Sequence, residues 1–152
     1  MLPAWTFSVA TIFVLSVVWP ASAGPKEDVA ATTQAWIDAL NSHDTERVVA
    51  LYDSDALLWG TVSPTIRDTP AAIREYFKGL PNMPPEFKGS IGEQRVRIYG
   101  DIAINSGTYS FNNVRDGKPV TTAARFSFVY RNRDGRWLIV DHHSSAVPTP
   151  PQ

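Results

Sequence analysis

From Gln94 onward the apolar residues recur every second position, and short turns break the pattern into long runs. That period of two belongs to strands, so the C-terminal half has few alternatives to an antiparallel sheet. Val96 and Ile98 face one way, with Arg95, Arg97 and Tyr99 on the other. Gly100-Asp101 turns the chain into a long strand over Ile102 to Val114. "RDGKP", Arg115 to Pro119, and "RDG", Arg133 to Gly135, are hairpin turns, because Asp-Gly pairs suit the tight connections between antiparallel strands. Between and after them lie strands over Val120 to Arg131 and Arg136 to Val147.

The preceding part of the chain has a helical period. Val29, Thr33, Trp36, Ile37 and Leu40 share one face of a helix over Lys26 to Asn41. The break "NSHD" offers Ser42 or Asp44 as cap for a short second helix with Val48, Leu51 and Tyr52 inward. A short strand is expected over Ala56 to Trp59, closed by Gly60. Thr69 as cap and Pro70 at the first helical position start a third helix, with Ile73, Phe77 and Leu80 on its stripe. Pro81, Pro84 and Pro85 stop it.

Helices gathered on one side of an antiparallel meander make an α+β chain. Long bent strands wrapped on three helices would form a cone open at one end. The first 23 residues stand apart from this pattern. Ala4 to Trp19 carries no charge, and Pro20 then precedes Ala21-Ser22-Ala23, a small-x-small pattern for a signal peptidase. The expectation is a signal peptide over 1–23, a domain over 24–147, a disordered tail over 148–152, and an exported (periplasmic or secreted) protein. An uncleaved membrane anchor is the alternative; after cleavage no membrane association is expected. The chain has no cysteine, so disulfides contribute nothing. With a formal net charge of -1 and no basic stretch, nucleic acid is not an expected partner.

The closing stretch "RNRDGRWLIVDHHSSAVP", Arg131 to Pro148, resembles the closing hairpin of the calcium/calmodulin-dependent protein kinase II association (hub) domain. "IREYF", Ile73 to Phe77, resembles that domain's third helix, and the Gly100-Asp101 turn matches its own. The resemblance runs from about Asp28 to Pro148. It implies the nuclear transport factor 2-like fold, shared with SnoaL-like cyclases and ketosteroid isomerases. It also implies self-association, as a homodimer or a higher ring. The chain has no kinase or calmodulin-binding segment, so neither activity carries over. The hub cavity holds arginines on its last strands. Tyr109, Phe128 and Ser144 stand at those places here, with Arg125 the nearest arginine, offset from them.

Chemistry concentrates in Asp141-His142-His143. Strand alternation puts Asp141 and His143 on one face with Trp137, Ile139 and Ser145, and His142 on the other. The two histidines therefore cannot grip one metal ion, and His43 lies in a helix break; no metal and no cofactor is implied. As a catalytic set, Asp141 would orient His143 or His142 as an acid–base group. As structural groups, they would be satisfied polar residues where the sheet meets a partner subunit. Arg125, among small and apolar neighbours in "TTAARFSF", suits a carboxylate ligand, or an acid across an interface. Asp53 and Asp55 read as turn residues. Tyr52, Trp59, Tyr76 and Tyr109 would line an apolar pocket with a few hydroxyls, while Trp36 fits the core better. Two functions follow: a non-enzymatic oligomerising or small-ligand-binding domain, or a cavity isomerase, dehydratase or cyclase acting by proton transfer on a small apolar substrate.

Overall fold

The computed structural model of the chain describes residues 24–148. The expected leader over 1–23, and the tail beyond Pro148, lie outside the described residues. Helix α1 spans Pro25–Asn41, with proline in its first turn and Glu27 and Asp28 beside its positive end. It buries Val29, Thr33, Trp36, Ile37 and Leu40, the stripe read from the sequence. Of the two candidate caps for α2 (Thr45–Val49), Asp44 serves. Its carboxylate accepts from the backbone N–H of Glu46 at 2.9 Å and of Arg47 at 3.2 Å. Helix α3 (Pro70–Phe77) starts at Thr69, whose hydroxyl accepts from Ala72 N–H, and a 3₁₀ turn follows over Leu80–Asn82.

The strands are β1 (Tyr52–Trp59), β2 (Lys88–Tyr99), β3 (Ile102–Arg115), β4 (Lys118–Arg133) and β5 (Arg136–Ala146). They form one sheet in the order β1-β5-β4-β3-β2. The four long strands pair antiparallel as expected, and β1 adds parallel to β5, making the sheet mixed. β4 extends two residues beyond the expected strand at each end, and two elements are longer still. β1 reaches back to Tyr52, which pairs with Ile139, and β2 starts at Lys88. Both hairpins use left-handed Asp-Gly pairs: φ is 53° and 71° at Asp116-Gly117, 52° and 85° at Asp134-Gly135.

Two bulges in the long strands shape the sheet, beside the irregular pairing of β1 with β5 between Tyr52 and Leu57. In β2 the register slips between Ile91 and Gln94. There Gly107 of β3 faces the extra residues so closely that a Cβ would lie 2.0 Å from the Glu93 carbonyl oxygen. A bulge bends its strand and increases local twist, so this one helps to curl the sheet around α1. In β5, Tyr130 pairs with Ile139 and Val129 with Asp141, which leaves Val140 as the extra residue. Alternation reverses there: Trp137 and Ile139 face inward, and so do His142 and Ser144. Asp141, His143 and Ser145 face out. The expectation that Asp141 and His143 share a face with Trp137 and Ile139 is therefore corrected. Uninterrupted alternation does not survive an inserted residue.

Inside the curl, Phe126, Phe128 and Tyr130 of β4 pack with Trp36, Ile37 and Leu58. The closed end of the cone is polar but satisfied on most atoms. The Tyr130 and Thr33 hydroxyls meet at 2.8 Å, and Asn105 donates through Nδ2 to Thr33 Oγ1 and Gln94 Oε1, each at 2.8 Å. Replacing Gly107 by alanine should cost about 2 kcal/mol or more, because backbone and the Phe126 ring occupy the space its methyl needs. Urea unfolding of G107A would measure it, and an unchanged midpoint would refute the steric role of that bulge.

Candidate functional site

The open end of the cone holds a cavity of about 300 Å³. Leu40, Leu58, Phe77, Leu80, Phe87 and Phe111 supply its apolar wall. Its polar floor is built from Tyr109, His142 and Ser144, with Thr61 on the loop after β1. Each reaches the interior for a local reason. Tyr109 faces inward by the alternation of β3 that also buries Ala103 and Asn105, and His142 and Ser144 are turned inward by the Val140 bulge. Tyr76 lies over Gly60, where any Cβ would collide with its ring, and it forms part of the rim. Arg115, at the end of β3, is the one arginine on the lining.

His142 is 3 % exposed and enclosed by rings. It stacks on Phe128 with centroids 3.9 Å apart and meets the Trp36 indole edge-on at 5.2 Å. Tyr52 Oη lies 2.8 Å from its Nδ1, and Tyr109 Oη lies 3.3 Å from its Nε2. Trp36 donates through Nε1 to Tyr52 Oη at 3.1 Å. Among the described residues Nδ1 is the one acceptor within reach of the buried Tyr52 hydroxyl, so its proton goes there. Nδ1 is then the acceptor, and the neutral ring carries its proton on Nε2, toward Tyr109 and the cavity. The Tyr109 hydroxyl in turn faces those of Ser144 and Thr61, which are bonded to each other.

Burial controls ionisation here. It pushes His142 down to about 3, and the adjacent His143 adds to the effect. Burial also raises Tyr52 and Tyr109, with bonds from Trp36 and from Ser144 partly opposing it. The floor is thus a set of uncharged donors and acceptors at neutral pH.

The proposed site residues divide between the two faces of the sheet. His142, Tyr76 and Tyr109 line the cavity, and Tyr52 sits behind His142 as its hydrogen-bond partner. Asp141 and His143 lie on the outer face in a second pocket, of about 330 Å³, with Leu57, Trp59 and Ile66. Burial raises the Asp141 carboxyl there, against the pull of His143. Trp59 and Arg125, expected inside, are outside: Trp59 is 47 % exposed, and Arg125 Nε donates to Ser145 Oγ at 3.3 Å across the outer face. For Arg125 the reason is that it alternates with the inward Ala124 and Phe126. Asp53 forms an ion pair with Arg133 Nε at 2.8 Å, which holds its carboxyl below the usual range. Asp55 pairs with Arg131 at 3.3 Å. Trp36, read as core, also contributes to the lining, and Thr61 and Arg115 carried no signal in the sequence. Among the described residues no three His, Cys, Asp or Glu side chains group to hold a metal ion.

An unfolded histidine takes a proton near pH 6.5, whereas folded His142 resists protonation down to about 3. Its contribution is therefore complete above about pH 6.5 and is lost as pH falls from there toward 3, at up to about 1.4 kcal/mol per pH unit. Between pH 6.5 and 5, where carboxylates stay ionised, unfolding free energy from urea titrations should already decline. A flat profile across that window would exclude a buried neutral His142.

The model of the calcium/calmodulin dependent protein kinase II association domain matches residues 25–148. Among solved structures, an association-domain protein from Xanthomonas campestris is 34% identical with a TM-score of 0.74. The alignment covers 91% of this chain and 99% of that one. The S. rosetta CaMKII hub aligns with a TM-score of 0.75 at 20% identity, over 84% of this chain and 100% of its own. A ketosteroid isomerase-like protein from Erwinia carotovora atroseptica aligns at 0.67 and 20% identity, over 82% and 97%. An NTF2-like protein with a cystatin-like fold from Novosphingobium aromaticivorans aligns at 0.70 and 16% identity, over 80% of each chain. The last three likenesses show the fold alone. No curated protein matches the chain.

Proposed function

The chain belongs to the calcium/calmodulin dependent protein kinase II association domain family, and from that premise we propose that it is an exported, self-associating domain that binds a small, largely apolar ligand in its cone. The observation that carries the ligand reading is the open cavity with an uncharged polar floor beneath aromatic walls. Such a chamber removes most of a small molecule's surface from water while a few polar groups fix its orientation. Export rests on the uncharged stretch Ala4 to Trp19 and the Ala21-Ser22-Ala23 pattern.

Self-association is supported by the outer sheet face. Leu57 and Trp59 of β1 stand in register with Asp141 and His143 of β5, and the first of these rows continues to Val129 and Ile104. Leu57, Trp59 and Ile66 are 37 %, 47 % and 43 % exposed, an apolar group of the kind that association covers. A two-fold arrangement would place each copy's patch on the other's.

The alternative is a SnoaL-like isomerase, dehydratase or cyclase. His142 with Tyr109 beside it is the observation in its favour, since an ionisable group and a second polar group share the cavity. Against it, an imidazole with its pKa near 3 is a poor base at neutral pH, and Asp141 and His143 lie on the opposite face.

Two measurements test these readings. Light scattering coupled to gel filtration should give a mass of at least a dimer for the wild-type chain at micromolar concentration. Trp59→Glu should shift it to monomer while the circular dichroism of the fold is kept. A monomeric wild-type protein would refute self-association. On secretion from a bacterial host, N-terminal sequencing should begin at Gly24; a chain still carrying its first residues would refute cleavage.

A further inference from the structure

The hydrogen-bond order in the cone has a direction. It starts at the Trp36 indole N–H, which can only donate, and its acceptor is Tyr52 Oη. Tyr52 then donates to His142 Nδ1, and His142 Nε2–H points to Tyr109 Oη. Every proton along this line faces the mouth of the cavity. Beyond Tyr109 stand the Ser144 and Thr61 hydroxyls, bonded to each other through one proton. The pair's second proton can turn back onto Tyr109 Oη, which already accepts from His142 Nε2–H and is the poorer partner for it, or into the cavity. The floor therefore offers an O–H donor that an acceptor oxygen of a ligand can take. Ser144 is 4 % exposed and Thr61 is partly exposed, so the pair stands between the buried floor and the loop after β1.

Resting on the reading of the cone as a ligand pocket, we propose that it selects apolar molecules bearing an uncharged hydrogen-bond acceptor, such as a ketone, aldehyde or ester carbonyl. The carbonyl oxygen takes the free proton of the Ser144–Thr61 pair, and the carbon body lies against Phe77, Phe87 and Phe111. A hydrocarbon of the same shape leaves that donor unpaired in a dry site, which costs affinity. A carboxylate fares worse than the ketone for a different reason. The floor holds no cation to compensate a buried charge, and Arg115 sits at the exposed end of β3.

Calorimetric titration of the purified chain at pH 7 with three matched probes tests this: 2-acetylnaphthalene, 2-ethylnaphthalene and 2-naphthoate. The ketone should bind about tenfold tighter than either of the others, the gain expected of one hydrogen bond in a desolvated site. In the double variant Thr61→Val, Ser144→Ala the ketone should fall to the level of the hydrocarbon, whose own affinity should change little. Equal binding of ketone and hydrocarbon to the wild type would overturn the selectivity and leave the pocket reading standing. Tightest binding of naphthoate would overturn it in favour of recognition by Arg115. No binding of any probe would bring down the pocket reading and this inference together.

Discussion

A histidine that must stay uncharged governs the interior of this domain. His142 is walled in by Trp36, Phe128 and two tyrosines, and among the described residues that line the cone there is no carboxylate to pair with a charged ring. Ionising it there would strand a cation in a low-dielectric core, so the neutral form is the folded form. Neutrality then determines the rest. One nitrogen has to accept and the other has to donate, and the buried Tyr52 hydroxyl, held by the Trp36 indole, decides which. A residue of β1 thereby sets the proton order on β5 and, through Tyr109, the chemistry offered to the cavity.

The same strand separates two roles. Inward residues of β5 build the chamber, and its outward residues join Leu57 and Trp59 on a surface of mixed character. One inserted residue, Val140, decides this allocation. Without it, Asp141 and His143 would sit inside with Trp137 and Ile139, and the cone would contain a carboxylate and a second imidazole. That interior would suit proton transfer. The interior that exists suits recognition of neutral polar atoms, and the titratable pair lies on the face available to a partner.

Much of the architecture was legible because local signals agreed. The Asp-Gly turns, the stripe from Val29 to Leu40 and the Thr69-Pro70 start each have a mechanism that tertiary packing reinforced. The resemblance in Arg131 to Pro148 supplied the fold, and the family comparison agrees with it. The site was harder to read. Bulges leave little trace in residue type, so strict alternation placed Asp141 and His143 relative to Trp137 and Ile139 incorrectly. Trp59 was grouped with the pocket by its chemistry, although its parity with Leu57 on β1 puts it outside. Thr61 belongs to the site only because the loop after β1 brings it beside Ser144, and nothing in "GTVSPT" announces that. Short-range pattern gave the elements; which face of each strand meets the cavity depended on single insertions.

The central claim is the protonation state and tautomer of one ring, and nitrogen NMR of the histidine side chains reads both directly. With uniform ¹⁵N labelling at pH 6, His142 should show a neutral ring with an unprotonated Nδ1 and a protonated Nε2. That pattern should persist as the other two imidazoles, His43 and His143, gain charge on acidification. An imidazolium signal from His142 at pH 6, or a proton on Nδ1, would contradict the account.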